Sequence, residues 1–512
     1  MNVLIGSAAP GVTARLNAGQ IARPAQEETA ARAFAVGFSG WGPVNTPTVV
    51  NSWREFTQRF GSFNLNSFLT DFCYIFFNLF PGNEAVICRV VGASAAVATA
   101  TIQDRGTGAG QHPTLRIDAK YPSSTIDVRY TIEAGTLANT FKLTVRSLAL
   151  NTGREVYDNL IVDAASILSV NQASKLVQLT NLASANAAPT NLPTLAVEAI
   201  LAGGSDDFAS LTDASFIGTD TGTARSGLQA FNSEEWGTGQ VAIPGITTES
   251  AHAALIAHAE TFKRLAILDE AAGSDKAAVV TTRNLYGTNH GAIYWPRVDL
   301  LDFSGSGLRK LYPPSGFVAG ACAKADLEVG THQAPANKYG AIPSALDVER
   351  YASGMAQTDD GTRAYLNQHQ VNVITPLPEQ GVKIYGARVM TGDNRVQMVH
   401  EIRTLNLIYY QLKRTYQSIP FSVIDGTGKL FREVRSLSES YLRTLWRAGA
   451  LFGAKQEEAF IVVCDTTNNT PDTLNAQKLY VQVGVKLSPT AEMVIVDIDS
   501  VPLNQDLSVL QS

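Results

Sequence analysis

The residues of this chain that could carry chemistry are few, and their spacing suits little of it. Gly426-Thr-Gly-Lys429 has the outline of a phosphate-binding turn. A Walker-type loop needs a glycine five residues before its second glycine, where Val423 stands, and a serine or threonine for magnesium, where Leu430 stands. The stretch therefore reads as a plain turn. The seven histidines are scattered, and the closest pair, His252 and His258, is six apart, a poor match to one helical face. Cys73, Cys88, Cys322 and Cys464 form no CxxC pair and are expected to be reduced, buried and inert, as in a protein assembled in the cytoplasm. Asp206-Asp207 and Asp359-Asp360 lie in polar loops, where solvated carboxylates and helix caps are commoner than catalytic dyads. No nucleophile stands in a recognisable motif with a base. The expectation is no catalytic residue, no metal site, no cofactor and no enzyme.

The one informative constellation is cationic, on a helix expected over 430–448. Leu437, Tyr441 and Leu445 sit four apart and are expected to face the core, while Arg432, Arg435, Glu439, Arg443 and Arg447 lie together elsewhere. Glu439 can bridge Arg435 and Arg443, for a few tenths of a kcal/mol per pair. Arg443 and Arg447 are like charges at neighbouring helical positions and gain nothing from each other, so an acidic partner is expected.

Composition points to surfaces covered by other chains. At 512 residues there is room for about three domains of ~150 residues. Charged residues are 17%, against about 25% in ordinary soluble domains, and apolar residues 45%. Much of the surface is therefore expected to be covered by further copies. The net charge of −6 argues against broad nucleic-acid contact. The start, MNVLIGSAAPG, lacks the features of a secretory leader, and the most hydrophobic run, 72–80, is too short to span a bilayer, so no membrane insertion is expected.

The elements that must position these groups follow in order. Residues 2–23 cannot bury enough apolar area to fold alone, and make either a tail or an arm that orders on something else. Strands are expected at 33–38 and 48–50, then a helix with Ser52 as N-cap, Glu55 at capping-box spacing, Phe56 and Phe60 on one face and Gly61 at its end. Residues 68–80 have helical length and lead to a strand at 85–91. Alternating patterns at 114–118, 124–132 and 141–146 predict antiparallel strands with one wet face, in an inserted β-rich domain. Strands at 239–245 and 264–269 flank a helix at 251–262, which implies a parallel crossover and an α/β layer, and 292–300 adds another strand. A helix from His400 places Ile402, Leu405, Ile408, Tyr409 and Leu412 on one face. Strands are expected at 422–424 and 459–464, and as a pair at 479–485 and 492–497. After Ser500, Val501, Leu503, Leu507 and Val509 keep step in an alternating tail. With the loose N-terminal segment, whose apolar residues include Val3, Leu4, Ile5 and Val12, it suggests a strand donor at each end.

Between these elements lies YPPSGFVAGACAKADLEVGTHQAPAN, residues 312–337. Pro313, Pro314 and Pro335 fix the backbone, and Gly316 and the small residues of 318–323 allow a helix to pack very close to a neighbour. The same stretch resembles the sheath proteins of contractile phage tails and related phage-tail-like particles. Their "PPSG" segment is matched by 313–316, their basic residue and Asp by Lys324-Ala325-Asp326, and their "APAN" segment by Ala334 to Asn337. The run 381–388 keeps the family's Gly386 and Arg388 with Tyr385 for the common Trp, and 366–374 carries Gln370-Val371 for the usual Gly-Ile. The run 441–453, with Trp446 and Gly449, resembles the family's most recognisable signature.

The resemblance implies a multidomain, mixed α/β (α+β) fold. Its middle domain would be formed by 25–92 and 201–365, an outer β-rich insertion by 93–200, an inner domain by 366–499, and strand-donating arms by 1–24 and 500–512. It further implies a homo-oligomer of stacked, hexameric rings in a virion tail, with a tail tube protein, a baseplate and a tail terminator as partners. Contraction would drive the tube through the target cell envelope. In such sheaths a helix of the inner domain touches the tube, so Arg443, Arg447 and Lys455 are expected to meet acidic residues there. A static coat or ring-forming protein is the alternative.

Overall fold

The computed structural model describes residues 29–150 and 153–494. Its frame is an eight-stranded sheet. From one edge the order is Gly381–Ile384, Asn372–Leu377, Gly291–Trp295, Leu265–Asp269, Gln240–Ala242, Ala33–Phe38, Ala85–Val90 and Thr48–Val50. The six inner strands are parallel, and the two edge strands pair antiparallel. Both faces are covered, which is why the strands read as continuous apolar runs. In Ala33–Phe38, Ala33 and Ala35 face one core while Phe34 and Val36 face the other. The first core is roofed by Trp53–Phe60, Leu69–Tyr74 and Ser315–Glu328, the second by Glu249–Thr261 and Lys276–Asn284.

Several expected elements form for the expected reasons. Ser52 Oγ accepts from the Glu55 amide at 3.2 Å, Phe56 and Phe60 are buried, and Gly61 ends the helix at φ 86°. The Glu55 carboxylate reaches the Asn51 amide at 2.9 Å, one residue before the position a capping box would use. The helical stretch at 68–80 is an α-helix, Leu69–Tyr74, that continues as a π-helical segment, Ile75–Leu79.

Between Ala85–Val90 and Gln240–Ala242 the chain makes a β-rich body with its own core. One antiparallel sheet holds Thr99–Gln103, Pro113–Ala119 and Val177–Asn181; another holds Ala196–Ile200, Arg129–Ala134, Phe141–Arg146 and Glu155–Leu160. Leu115, Ile117, Ile132, Leu143, Val145 and Val170 meet between them. The strand expected at 124–132 begins only at Arg129, because Asp206 takes the Ser124 hydroxyl and amide into a turn.

The last part of the chain builds a small lobe. The helix Val399–Thr415 starts in the first large core with Val399 and Ile402 and ends in the lobe's core with Ile408 and Leu412. Tyr410 is the buried tyrosine, its hydroxyl on the Phe262 carbonyl at 2.8 Å, whereas Tyr409 faces outward. The helix Lys429–Arg447 and the two-stranded sheet Phe460–Val463 with Gln482–Val485 complete the lobe.

Four expectations are corrected. Residues 422–424 are not a strand: Phe421 and Val423 stand in solvent and pair with no strand among the described residues. Residues 492–494 are irregular rather than strand, and 495–497 lie outside the described residues, as do both expected arms at 1–24 and 500–512. The helix 429–447 buries Leu430, Phe431, Val434, Ser438 and Leu442, so its core face is rotated from the expected stripe: Tyr441 and Leu445 still pack at the edge of the core, but Leu437 is exposed. Strands Asn372–Leu377 and Gly381–Ile384, expected with the inner domain from 366, lie in the large sheet, because Asn372 and Val373 pair with Tyr294 and Trp295.

Candidate functional site

The residues 312–337 form the scaffold of the molecule. Pro313 and Pro314 are buried and lead into Ser315–Glu328, whose start is capped from another element. Asp269, at the end of its strand, accepts from the Ser315 amide and hydroxyl, both at 2.7 Å, and from the Gly245 amide at 3.0 Å. Burial pushes the Asp269 carboxyl above its ordinary range, against the pull of these hydrogen bonds. A carboxylate at a helix N-terminus, fed by orphan amides, is a structural cap. Gly316 lies against Phe72, and a Cβ at Gly320 would come within 2.5 Å of the Phe80 ring. These glycines let the helix settle onto Leu69–Leu79, the close packing the small residues predict.

Asp326 and Arg403 form a buried ion pair, with side chains 8% and 2% exposed. It ties Ser315–Glu328 to Val399–Thr415. Burial pushes the Asp326 carboxyl up while Arg403 pulls it down. The Arg403 Nη2 also donates to the Ala30 carbonyl at 3.3 Å, which receives Gln240 Nε2 at 2.7 Å. The chain is thus fastened just after residue 28.

The second pair of motif segments meets at the sheet edge. Asn337, in the left-handed region at φ 52°, donates its amide to the Ile384 carbonyl at 2.8 Å, and Lys383 Nζ reaches its side chain at 3.1 Å. Pro335 is buried beside it. Asn372, 1% exposed, holds residue 388 from both sides: its Oδ1 accepts from the Arg388 amide at 2.6 Å and its Nδ2 donates to the Arg388 carbonyl at 2.7 Å. A Cβ at Gly386 would lie 2.9 Å from Asn372. Further on, Trp446 Nε1 donates to the Gly453 carbonyl at 2.9 Å, and Gly449, at φ 82°, turns the chain so that its carbonyl accepts from Ser488 Oγ at 2.7 Å.

The cationic residues are only partly brought together. Arg435 donates to Asp465 and the Cys464 carbonyl at 2.9 and 3.1 Å, not to Glu439. Arg443 Nε donates to Gln456 Oε1 at 2.9 Å, while Arg447 and Lys455 are exposed nearby. Gly426-Thr-Gly-Lys429 is a turn whose helix start is already occupied by an anion: Asp425 Oδ1 accepts from the Lys429 amide at 3.0 Å. All four cysteines are free and buried, and burial pushes the Cys88 and Cys322 thiols up to about 12. Among the described residues no group of His, Cys, Asp and Glu could hold a metal ion, and no helix is long and apolar enough to cross a membrane.

Sequence reasoning missed the buried arginines. Arg89, fully buried, donates to the carbonyls of Ser39, Gly42 and Pro122 at 2.7, 2.9 and 2.8 Å, nailing the β-rich body to the large sheet. Arg264, also buried, donates to the carbonyls of Gly237, Phe231 and Ser233 against the ring of Phe34, and so fastens the 231–237 segment to the large sheet. An arginine inside an apolar strand is the signal that could have revealed Arg89.

Residues 222–390 match the phage tail sheath protein central domain. The match takes in the five strands of the large sheet from Gln240–Ala242 to Gly381–Ile384 and the 315–328 helix, and ends just past Arg388. A protein named for a prophage major tail sheath in Pseudomonas aeruginosa strain UCBPP-PA14 is 27% identical over 286 residues, 54% of this chain and 69% of that one. The helical sheath of the anti-feeding prophage in its contracted state superposes with a TM-score of 0.54 at 18% identity, over 96% of this chain and 99% of that one. The contracted PVC sheath of an extracellular contractile injection system gives 0.54 at 15% identity, over 99% and 100%. A crystallised sheath tail protein of Listeria innocua gives 0.59 at 13% identity, over 87% and 90%. Residues 222–390 thus carry the phage tail sheath protein central domain, and the chain shares the fold of solved sheath proteins along nearly all of its length.

Proposed function

We propose that this chain is the structural subunit of a contractile tail sheath. Copies polymerise as stacked, hexameric rings around a tail tube, joined to a baseplate at one end and a terminator at the other, in a phage or phage-like tail. Contraction drives the tube through the target cell envelope. The work comes from the difference between two packings of one sequence and needs no catalytic group. Head-to-tail contacts between identical copies build such a helical array without closing it.

One observation carries the proposal: the likeness to contracted sheaths runs over 96% and 99% of the chain, β-rich insertion included. Exposed Arg447 and Lys455, with Arg443 beside them, support a tube-facing cationic patch on the lobe. The terminal segments 1–24 and 500–512 are proposed to add strands to neighbouring copies, and the two-stranded sheet of the lobe supports this by offering edges to pair with. Electron microscopy of the expressed full chain tests the assignment. Helical cylinders of stacked rings are expected; closed shells or isolated rings point instead to a static coat protein.

A further inference from the structure

The geometry points to Arg388 and Glu492 as a clamp that sets where, and in which direction, the C-terminal segment departs from the body of the subunit. Arg388 is a positioning residue placed by the interior of the large sheet. The Asn372 side chain fixes its amide and carbonyl and also donates to the Ile293 carbonyl at 3.1 Å, so residue 388 is in register with the centre of the sheet. From this fixed backbone the guanidinium makes a fork on Glu492: Nε donates to Oε1 at 2.9 Å, and Nη2 donates to Oε2. A planar fork on a carboxylate fixes direction as well as distance.

Glu492 is 104 residues downstream and reaches this place from the other lobe. The chain leaves the strand Gln482–Val485, is pinned at Lys486 by the Ala459 carbonyl at 2.9 Å, and at Ser488 by the carbonyls of Ala450 and Gly449. It then crosses to the large sheet, where residues 490–492 wall one side of a cavity of about 370 Å³. The opposite walls are Ala336, Asn337, Tyr385 and Gly386. The motif segments 334–337 and 386–388 are therefore the seat on which the last described stretch rests. The pair also bridges the lobe to the sheet, parallel to the helix Val399–Thr415. Its side chains are 26% and 32% exposed, so it is more sensitive to salt than the buried Asp326–Arg403 pair.

The consequence is pre-organisation. A segment whose root is fixed loses less freedom when it docks on another copy than one released at Ser488. This deepens the sheath proposal, and its test separates the two. Arg388→Glu, Glu492→Arg and the double exchange are compared with the native full chain by hydrogen exchange on residues 486–494, and by the lowest concentration that yields cylinders. Each single variant is expected to speed exchange at 490–494 about tenfold or more with the large sheet unchanged, and the double exchange to restore protection. Arg388→Lys, which keeps charge but not the fork, is expected to fall between. The threshold for cylinders is expected to rise severalfold in the single variants and to return in the double. Native-like exchange in both single variants, or no recovery in the double, overturns the clamp. If the native chain forms no cylinders, the sheath proposal fails while the exchange result still decides the clamp.

Discussion

Gly320 shows how one missing side chain sets the packing of two helices. Its helix lies so near Phe80 that even a methyl meets the ring at 2.5 Å and its Cβ at 2.7 Å. Gly320→Ala is expected to cost about 1–3 kcal/mol, read as a lower denaturant midpoint with an unchanged slope. At Asp326 and Arg403 the partner matters more than the pair. Removing either alone leaves a buried charge, and Asp326→Ala or Arg403→Ala is expected to cost about 3–5 kcal/mol, while the double variant costs clearly less than the sum. His252 and His400 are buried, and burial pushes each down to about 4 from 6.5. Their folded pKa values lie below the unfolded ones, so the unfolded chain takes up protons first. Stability is expected to be full above pH 6.5 and to fall between pH 6.5 and about 4, by up to about 3 kcal/mol for each histidine. Thermal melts across this range check it, and His400→Leu is expected to flatten the slope.

At the scale of the element, the helix Lys429–Arg447 separates what periodicity can tell from what it cannot. Apolar residues at helical spacing announced the helix, and the helix is there. Two stripes were available, however, and the lobe buried Leu430, Val434, Ser438 and Leu442, left Tyr441 and Leu445 half-buried at the edge of its core, and turned Leu437 outward. A serine on the buried side has no apolar signature. It is accommodated because its hydroxyl bonds the Val434 carbonyl at 2.7 Å and meets the Tyr416 hydroxyl at 2.6 Å. Arg435 turned to Asp465 for the same reason: the strand that brings that carboxylate near is 25 to 30 residues away in sequence. Arg447 and Lys455 remain outward, and Arg447→Glu with Lys455→Glu is expected to weaken binding to tube protein at least tenfold and to reduce its salt dependence, measured by co-sedimentation. Unchanged binding at every salt concentration removes the tube-facing role.

For the whole molecule, the β-rich insertion is a body fastened at three points. The returning chain pairs with the leaving one, Gly92 amide to Asp206 carbonyl at 3.0 Å and Ala96 amide to Ser205 carbonyl at 2.8 Å. Arg89 holds Pro122, and buried Trp41 packs edge-on against Tyr121 at 5.4 Å. Replacing 94–205 by a short flexible linker is therefore expected to leave the large sheet folded, since its ends already meet. Stability should fall by a few kcal/mol from uncovering Trp41 and orphaning one Arg89 donor, as read by calorimetry and circular dichroism. Deleting 1–24 and 500–512 together is expected to leave a folded monomer that no longer forms cylinders that contract.

The sequence by itself determined the elements whose cause is local: strand Ala33–Phe38, the capped helix ending at Gly61, and the close-packed helix behind Pro313-Pro314. It also carried the resemblance to tail sheath proteins, through short segments whose prolines and glycines answer to backbone geometry. Tertiary structure alone decided which stripe of a helix turns inward, that Asn372–Leu377 joins the large sheet, and where Arg89, Arg264, Arg388 and Arg403 find their partners. Those outcomes depend on residues tens to hundreds of positions apart meeting in space. Periodicity along the chain reports only what neighbours on one element can do.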